Sequence, residues 1–153
     1  PAGISDGMRL KMTGYGDAGE GGGPNGDLYV YIEVKPHNIF KRDGDDLIVE
    51  LPISLSEASL GSKKDIPRLS SKKPSRITIP PGTQPGKLFR LKSEGIKNVH
   101  GHGRGDMIIV VNVETPVNLS QQQKDLLTEF QKIEAPDNSP KRKTFLDKVK
   151  SFF

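Results

Sequence analysis

Residues 26–34 read Gly-Asp-Leu-Tyr-Val-Tyr-Ile-Glu-Val and residues 105–113 read Gly-Asp-Met-Ile-Ile-Val-Val-Asn-Val, so one glycine-aspartate pair precedes an apolar run twice, 79 positions apart. Glycine enters backbone conformations with positive φ without steric cost, so glycines repeated at one spacing predict repeated turns. The pattern therefore predicts a duplication, with the second half of one unit followed by a complete unit. Further matches at this spacing are Pro1 with Pro80, Gly3 with Gly82, Gly7 with Gly86 and Gly16 with Gly95.

The chain around these runs is typical of a mainly β protein. Short segments rich in apolar residues, several of them alternating with polar ones, predict strands at residues 8–12, 28–34, 40–49, 47–55, 64–69, 76–79, 87–91 and 107–113. Asp43-Gly44 predicts a tight hairpin turn in the third segment. Pro52 has no N–H to give to a neighbouring strand, so it predicts an edge position for the strand that contains it.

Helix signals are concentrated after the last strand. Before it, residues 56–61 predict one helical turn stopped by Gly61. Ser120 and Gln123 form a capping-box signature that starts a helix running to about residue 134. A proline-containing linker at 135–140 then precedes a last helix, which Thr144 and Asp147 are expected to open.

These elements predict tandem small β-sandwich-like modules followed by C-terminal helices. We place the C-terminal part of the first module at residues 1–39, all of the second at 40–117 and the helical segment at 118–153. The chain begins at Pro1, inside a repeat whose other copy has an upstream half, so we expect a fragment of a longer protein.

Composition excludes several classes of protein. The chain has no cysteine, which rules out disulfides and thiolate metal sites and fits a cytoplasmic location. No apolar run approaches the ~20 residues of a membrane-spanning helix. Residues 62–106 carry 11 basic and 3 acidic side chains, but no nucleic-acid motif or array of stacking aromatic residues accompanies them. We therefore predict solvated loop charge here and no specific nucleic-acid partner.

Candidate catalytic and metal-binding motifs lack the neighbouring residues that their chemistry requires. Residues 14–19, Gly-Tyr-Gly-Asp-Ala-Gly, match the dinucleotide fingerprint, but the glycines and proline that follow cannot begin the helix that fingerprint needs. His37, His100 and His102 have no partner ligands at metal-binding spacing. We predict that the chain is not an enzyme and holds no cofactor or metal.

Several strings resemble one family. Residues 26–30 (Gly-Asp-Leu-Tyr-Val), 37–47 (His-Asn-Ile-Phe-Lys-Arg-Asp-Gly-Asp-Asp-Leu), 51–58 (Leu-Pro-Ile-Ser-Leu-Ser-Glu-Ala) and 105–116 are similar, in order, to the carboxyl-terminal substrate-binding and dimerisation region of the DnaJ-type co-chaperones. The resemblance implies a region that binds non-native polypeptide and dimerises, while its parent protein delivers clients to a DnaK-type ATP-driven chaperone. The family's His-Pro-Asp motif and paired cysteines are absent, so ATPase stimulation and zinc binding are left to the parent.

The resemblance also implies a peptide-binding groove. It lies beside the strand with the pattern Val-x-Leu-Pro and the strand after the short helix, and the matching positions here are Val49, Leu51, Lys64 and Ile66. Period-2 apolar positions of this kind also fit a buried core, and the two interpretations stay open. An edge strand beside such a groove can add an extended client strand through main-chain hydrogen bonds.

The C-terminal helices have apolar faces that need a partner surface. A last helix this short is not stable alone in water, so it must dock. We favour a homodimer over docking on the chain's own body, and two further hypotheses remain: a basic module that binds RNA or a membrane surface, and a structural dimerisation spacer. The candidate dimerisation residues are Leu126, Leu127, Phe130, Ile133, Phe145, Leu146, Val149, Phe152 and Phe153.

Overall fold

The computed structural model describes residues 1–153 and confirms a mainly β chain with C-terminal helices. Two compact units are present, Pro1–Thr115 and Pro116–Phe153. The predicted module boundaries after residues 39 and 117 stay predictions. The strands are β1 Arg9–Met12, β2 Leu28–Tyr31, β3 Phe40–Asp43, β4 Asp46–Ser54, β5 Ser62–Ile66, β6 Ser75–Ile79, β7 Leu88–Leu91 and β8 Met107–Glu114. The α-helices are α1 Leu55–Leu60, α2 Gln121–Ile133 and α3 Pro140–Phe152, and 3-10 turns occur at Glu20–Gly22 and Pro136–Asn138.

The first unit contains three sheets. One has four strands in the order β3-β4-β8-β7, and two antiparallel pairs, β1-β2 and β5-β6, form the others. The predicted hairpin is confirmed: Asp43 pairs with Asp46 across a two-residue turn in which Gly44 has φ of 62°. β4 and β8 pair in parallel from Leu47 opposite Met107 onward, across about sixty residues of sequence.

The core lies between the four-stranded sheet and the β5-β6 pair. β4 and β8 each direct alternate side chains into it, and Met107, Ile109 and Val111 have no exposed surface. Ile66 and Ile79 close the core from the other side and are 1 % exposed. Alternation on β4 and β8 therefore buries one face of each strand, as a sandwich-like module requires.

The duplication is confirmed at the level of individual hydrogen bonds. The β1-β2 register reappears 79 positions later in β7-β8, where Leu88 opposite Val110 corresponds to Arg9 opposite Tyr31. Three pairs of equivalent main-chain hydrogen bonds have donor–acceptor distances of 2.7–2.9 Å in both copies: Gly7 to Ile32 with Gly86 to Val111, Gly16 to Gly26 with Gly95 to Gly105, and Ile32 to Met8 with Val111 to Lys87. Equivalent sequence thus produces equivalent backbone.

One glycine of the first copy is replaced by serine in the second. Gly14 has φ of 78°, and Ser93 adopts the same left-handed conformation with φ of 59°. Its main-chain N–H donates to Asp106 Oδ1 at 2.9 Å, as Gly14 N–H donates to Asp27 Oδ1 at 3.1 Å. The aspartate of the repeated pair therefore holds the turn even where the backbone is strained.

The helix signals are confirmed at two of three places. The predicted helical turn before Gly61 is α1, and the predicted capping box of Ser120 and Gln123 starts α2. A second capping box, formed by Ser54 and Glu57 at the start of α1, was not predicted. The prediction that Thr144 opens the last helix is wrong, because α3 begins at Pro140, whose ring suits the first helical position. Thr144 lies inside the helix, where its hydroxyl donates to the Pro140 carbonyl at 3.0 Å.

Candidate functional site

The second half of β4 has a neighbouring strand on one side only. β8 pairs with β4 as far as Ser54, whereas β3 pairs with β4 only as far as Val49. The prediction that Pro52 marks an edge strand is wrong for β4 as a whole, because β4 lies between β3 and β8. At Pro52 itself, however, the side of β4 that faces away from β8 is open. We call residues 50–54 on this side the β4 open edge.

The direction of the main-chain groups follows from the parallel ladder. Leu47 N–H donates to the Asp106 carbonyl at 2.9 Å, so Leu47 directs its main-chain groups at β8. Alternate residues of a paired strand bond to opposite neighbours, so Glu50 and Pro52 direct theirs to the open edge. Glu50 presents both a donor and an acceptor there. Pro52 presents an acceptor alone, since it has no N–H.

The four predicted groove residues divide into two pairs. Val49 and Ile66 are 4 % and 1 % exposed and belong to the core. Leu51 is half-buried and packs against that core, and Lys64 is half-buried on β5. Leu51 and Lys64 therefore have surface that a ligand could contact, whereas Val49 and Ile66 pack in the core beneath the strands. Their role in peptide binding stays a prediction.

An ion pair joins α1 to β5 beside these residues. Lys64 Nζ contacts Glu57 Oε2, and the other oxygen of Glu57 accepts a hydrogen bond from Ser54 N–H at 3.3 Å. The hydrogen bond from Lys64, followed by the one from the Ser54 main chain, holds the pKa of the Glu57 carboxyl below its ordinary value. The charge of Lys64 is therefore neutralised within the protein. Of the four predicted groove residues, Leu51 is the one that offers apolar surface beside the β4 open edge.

The second unit exposes the apolar side chains predicted for dimerisation. On α2, Phe130 is 55 % and Ile133 is 78 % exposed. On α3, Val149 is half-buried and Phe153, at the end of the helix, is 98 % exposed. The structure thus places every one of these residues outside a core. The remaining predicted members, all exposed, are Leu126, Leu127, Phe145, Leu146 and Phe152.

Sequence reasoning missed Glu50 as the residue that presents main-chain groups at the β4 open edge. Its position depends on where β3 stops, and Pro52 was the one local signal that pointed to an open side.

Among the histidines, His37 has a structural role, because its Nδ1 accepts hydrogen bonds from Ile39 and Phe40 N–H at 3.0 and 3.3 Å.

No group of three or more His, Asp or Glu side chains is arranged so that it could hold a metal ion. None of the helices combines the length and the apolar character that crossing a membrane requires.

Comparison with known proteins identifies the family. The model described as DnaJ C terminal domain matches residues 1–116, and the one described as Chaperone protein DnaJ C-terminal region matches residues 122–153. Proteins named Chaperone protein DnaJ match all 153 residues, at 60 % identity in Protochlamydia amoebophila, 56 % in Chlamydia felis and 54 % in Chlamydia trachomatis. The chain spans 39 % of the length of these relatives. Because the DnaJ C terminal domain model matches more than half of the chain, the chain belongs to the DnaJ C terminal domain family.

Proposed function

We propose that this chain is the client-binding and dimer-forming region of a co-chaperone, which holds non-native polypeptide while the parent protein delivers it to a DnaK-type ATP-driven chaperone. In this proposal the region binds and does not catalyse, and its parent works in the cytoplasm. The observation that carries the proposal is the β4 open edge, where β4 has no neighbouring strand beyond Val49 on the side that faces away from β8.

Client binding at this edge uses the main chain of β4. An extended client segment pairs with the N–H and carbonyl of Glu50 and the carbonyl of Pro52, while one apolar client side chain contacts Leu51. Each net hydrogen bond contributes roughly 0.5–1.5 kcal/mol, so this short edge supports weak binding that depends little on client sequence. Pro52 interrupts the row of donors, which also limits unwanted pairing between folded copies.

Dimerisation uses the exposed apolar faces of the second unit. The capping box at Ser120 starts α2, and a two-fold axis would bring the same apolar face of two copies together. Two client-binding edges carried by one dimer hold a client more firmly than either alone, because the second contact becomes intramolecular.

Two substitutions at one position test the client edge. Glu50→Pro removes the open-edge donor and leaves the β8 ladder intact, because Glu50 N–H does not face β8. Glu50→Ala removes the same side chain and keeps the donor. The assay is suppression of aggregation of dithiothreitol-reduced insulin by each folded variant. We expect Glu50→Pro to lose activity and Glu50→Ala to keep it. Equal activity of the two variants would refute pairing at this edge.

A separate experiment tests the dimer. Sedimentation equilibrium is measured for the full chain, for a truncation ending at Ala135 and for the substitution Phe130→Asp on α2. We expect a dimer for the full chain and a weakened or lost dimer for Phe130→Asp. The truncation shows whether α3 is needed as well. A full chain that is monomeric at all accessible concentrations contradicts this part of the proposal.

A further inference from the structure

An apolar cleft of about 560 Å³ lies in the first unit, apart from the β4 open edge. It forms where the segment that leaves β2 approaches the outer side of β3 and the loops that follow β5 and β7. Leu69 in its wall is 51 % exposed and Val34 is 43 % exposed, so apolar surface in the cleft is accessible to a ligand. The apolar lining consists of Val34, Pro36, Phe40, Leu47, Leu69 and Ile96.

The outer edge of β3 borders this cleft. Phe40, Lys41 and Arg42 all line it, and three consecutive residues do so when a strand presents its edge. β3 has β4 on one side only. In a two-residue hairpin the closing pair exchanges hydrogen bonds, so Lys41 bonds to β4 while Phe40 and Arg42 direct their main-chain groups outward. Consistently, Phe40 N–H donates to His37 rather than to β4.

The free charges around the cleft are positive. Lys35 and Lys41 line it, and neither forms an ion pair within the chain. The one carboxylate in the lining, Asp6, accepts a hydrogen bond from Val34 N–H at 2.8 Å. Arg42 is occupied as well, because its guanidinium donates to main-chain carbonyls, including that of Ile4 at 2.7 Å. Two unpaired lysines therefore remain beside an apolar floor.

We propose that this cleft binds an extended peptide in which a large apolar side chain lies next to carboxylates. The peptide adds to the outer edge of β3, its apolar side chain enters between Leu69 and Ile96, and its carboxylates pair with Lys35 and Lys41. This site goes beyond the client edge of β4, since it selects for acidic residues, whereas pairing along β4 depends little on sequence.

Charge argues against the chain's own terminus as the occupant. Phe152 and Phe153 would offer suitable apolar side chains, but the segment that carries them contains Lys148 and Lys150, and the cleft already has unpaired lysines. Like charges held this close oppose binding. The complementary partner is an acidic segment.

The test uses fluorescein-labelled heptapeptides with one central leucine. One peptide places glutamates on both sides of the leucine, a second replaces the glutamates by lysines, and a third keeps the glutamates and replaces the leucine by serine. Binding to the full chain is measured by fluorescence anisotropy at low salt, where exposed charges are least screened. We expect the first peptide to bind and both others to bind at least about tenfold more weakly.

Matched charge reversals locate the site. Lys35→Glu with Lys41→Glu should weaken binding of the first peptide about tenfold or more, because two attractions become repulsions. Lys72→Glu with Lys73→Glu makes the same net change at exposed positions that do not line the cleft, and should change affinity less than about twofold. An equal loss in both double variants means attraction to the overall charge and overturns the proposal.

One further variant separates the cleft from the β4 open edge. Glu50→Pro should leave binding of the acidic peptide unchanged, while Leu69→Ser, a change at a half-exposed side chain, should weaken it. Loss of peptide binding in Glu50→Pro with retention in Leu69→Ser would place the peptide on β4 and overturn the proposal. Circular dichroism of each variant verifies that it is folded.

Discussion

Replacing Gly105 by alanine should destabilise the first unit far more than the same change at Gly26, although the two glycines are equivalent in the duplication. A Cβ at Gly105 would lie 2.1 Å from the carbonyl oxygen of Asp45. At Gly26 the nearest atom, the carbonyl oxygen of Asp17, is 3.7 Å away. Neither glycine has φ in the left-handed region, so the contrast comes from space alone.

The magnitude follows from the contacts that must move. Ordinary contact begins near 3.4 Å, so the Asp45 carbonyl would have to retreat by about 1.3 Å. That carbonyl accepts a hydrogen bond from Ile96 N–H at 2.7 Å, which such a shift breaks. Overpacking costs roughly 1–3 kcal/mol and the lost hydrogen bond about 1 kcal/mol, against a gain of roughly 0.4–1 kcal/mol from the less flexible unfolded chain. The net expectation is a loss of about 1–3.5 kcal/mol for Gly105→Ala.

The free energy of unfolding of each variant is measured from guanidinium denaturation followed by circular dichroism. Gly26→Ala is expected to be neutral or stabilising by up to about 1 kcal/mol, because its only effect is to lower the conformational entropy of the unfolded chain. A free energy of unfolding for Gly105→Ala within about 0.5 kcal/mol of the wild-type value would show that the close approach of the β3-β4 turn to this glycine does not matter for stability. Equal losses at both positions would mean that backbone conformation, rather than crowding, decides.

Three further predictions also concern stability. Ser93→Gly should stabilise the chain by roughly 0.5–1 kcal/mol, because it relieves a left-handed serine; a loss of stability would contradict the strain. Glu94 accepts hydrogen bonds from Arg68 and Ser70, which hold the pKa of its carboxyl below the ordinary value. This stabilisation is complete above the unfolded-state pKa and is lost as pH falls through the folded-state pKa, so the difference between wild type and Glu94→Gln should shrink in acid. A difference independent of pH would refute this assignment. Ser120→Ala removes the α2 cap and should lower helix stability by about 1 kcal/mol, seen as earlier thermal loss of helical signal; unchanged melting would contradict the role of the cap.

Predictions from sequence succeeded where the signal and the structure it specifies lie within a few residues. The Asp43-Gly44 turn, the short helix before Gly61 and the capping box at Ser120 involve neighbours along the chain, and the duplication reproduced whole sets of hydrogen bonds. The start of the last helix was wrong, because Thr144 matched a capping pattern while Pro140 competed for the same role nearby.

By itself, the sequence determined the mainly β architecture, the repeated turns and the apolar faces of the helices, because glycine spacing and apolar periodicity act on local backbone and on which face is buried. Tertiary structure alone decided that β4 pairs in parallel with β8, that Val49 and Ile66 lie in the core, and that Glu50 faces an open edge. The physical reason is that strands share one alternating pattern, so the pattern does not specify which strands pair. Partner and register are chosen by the packing of the whole core, which joins residues about sixty positions apart.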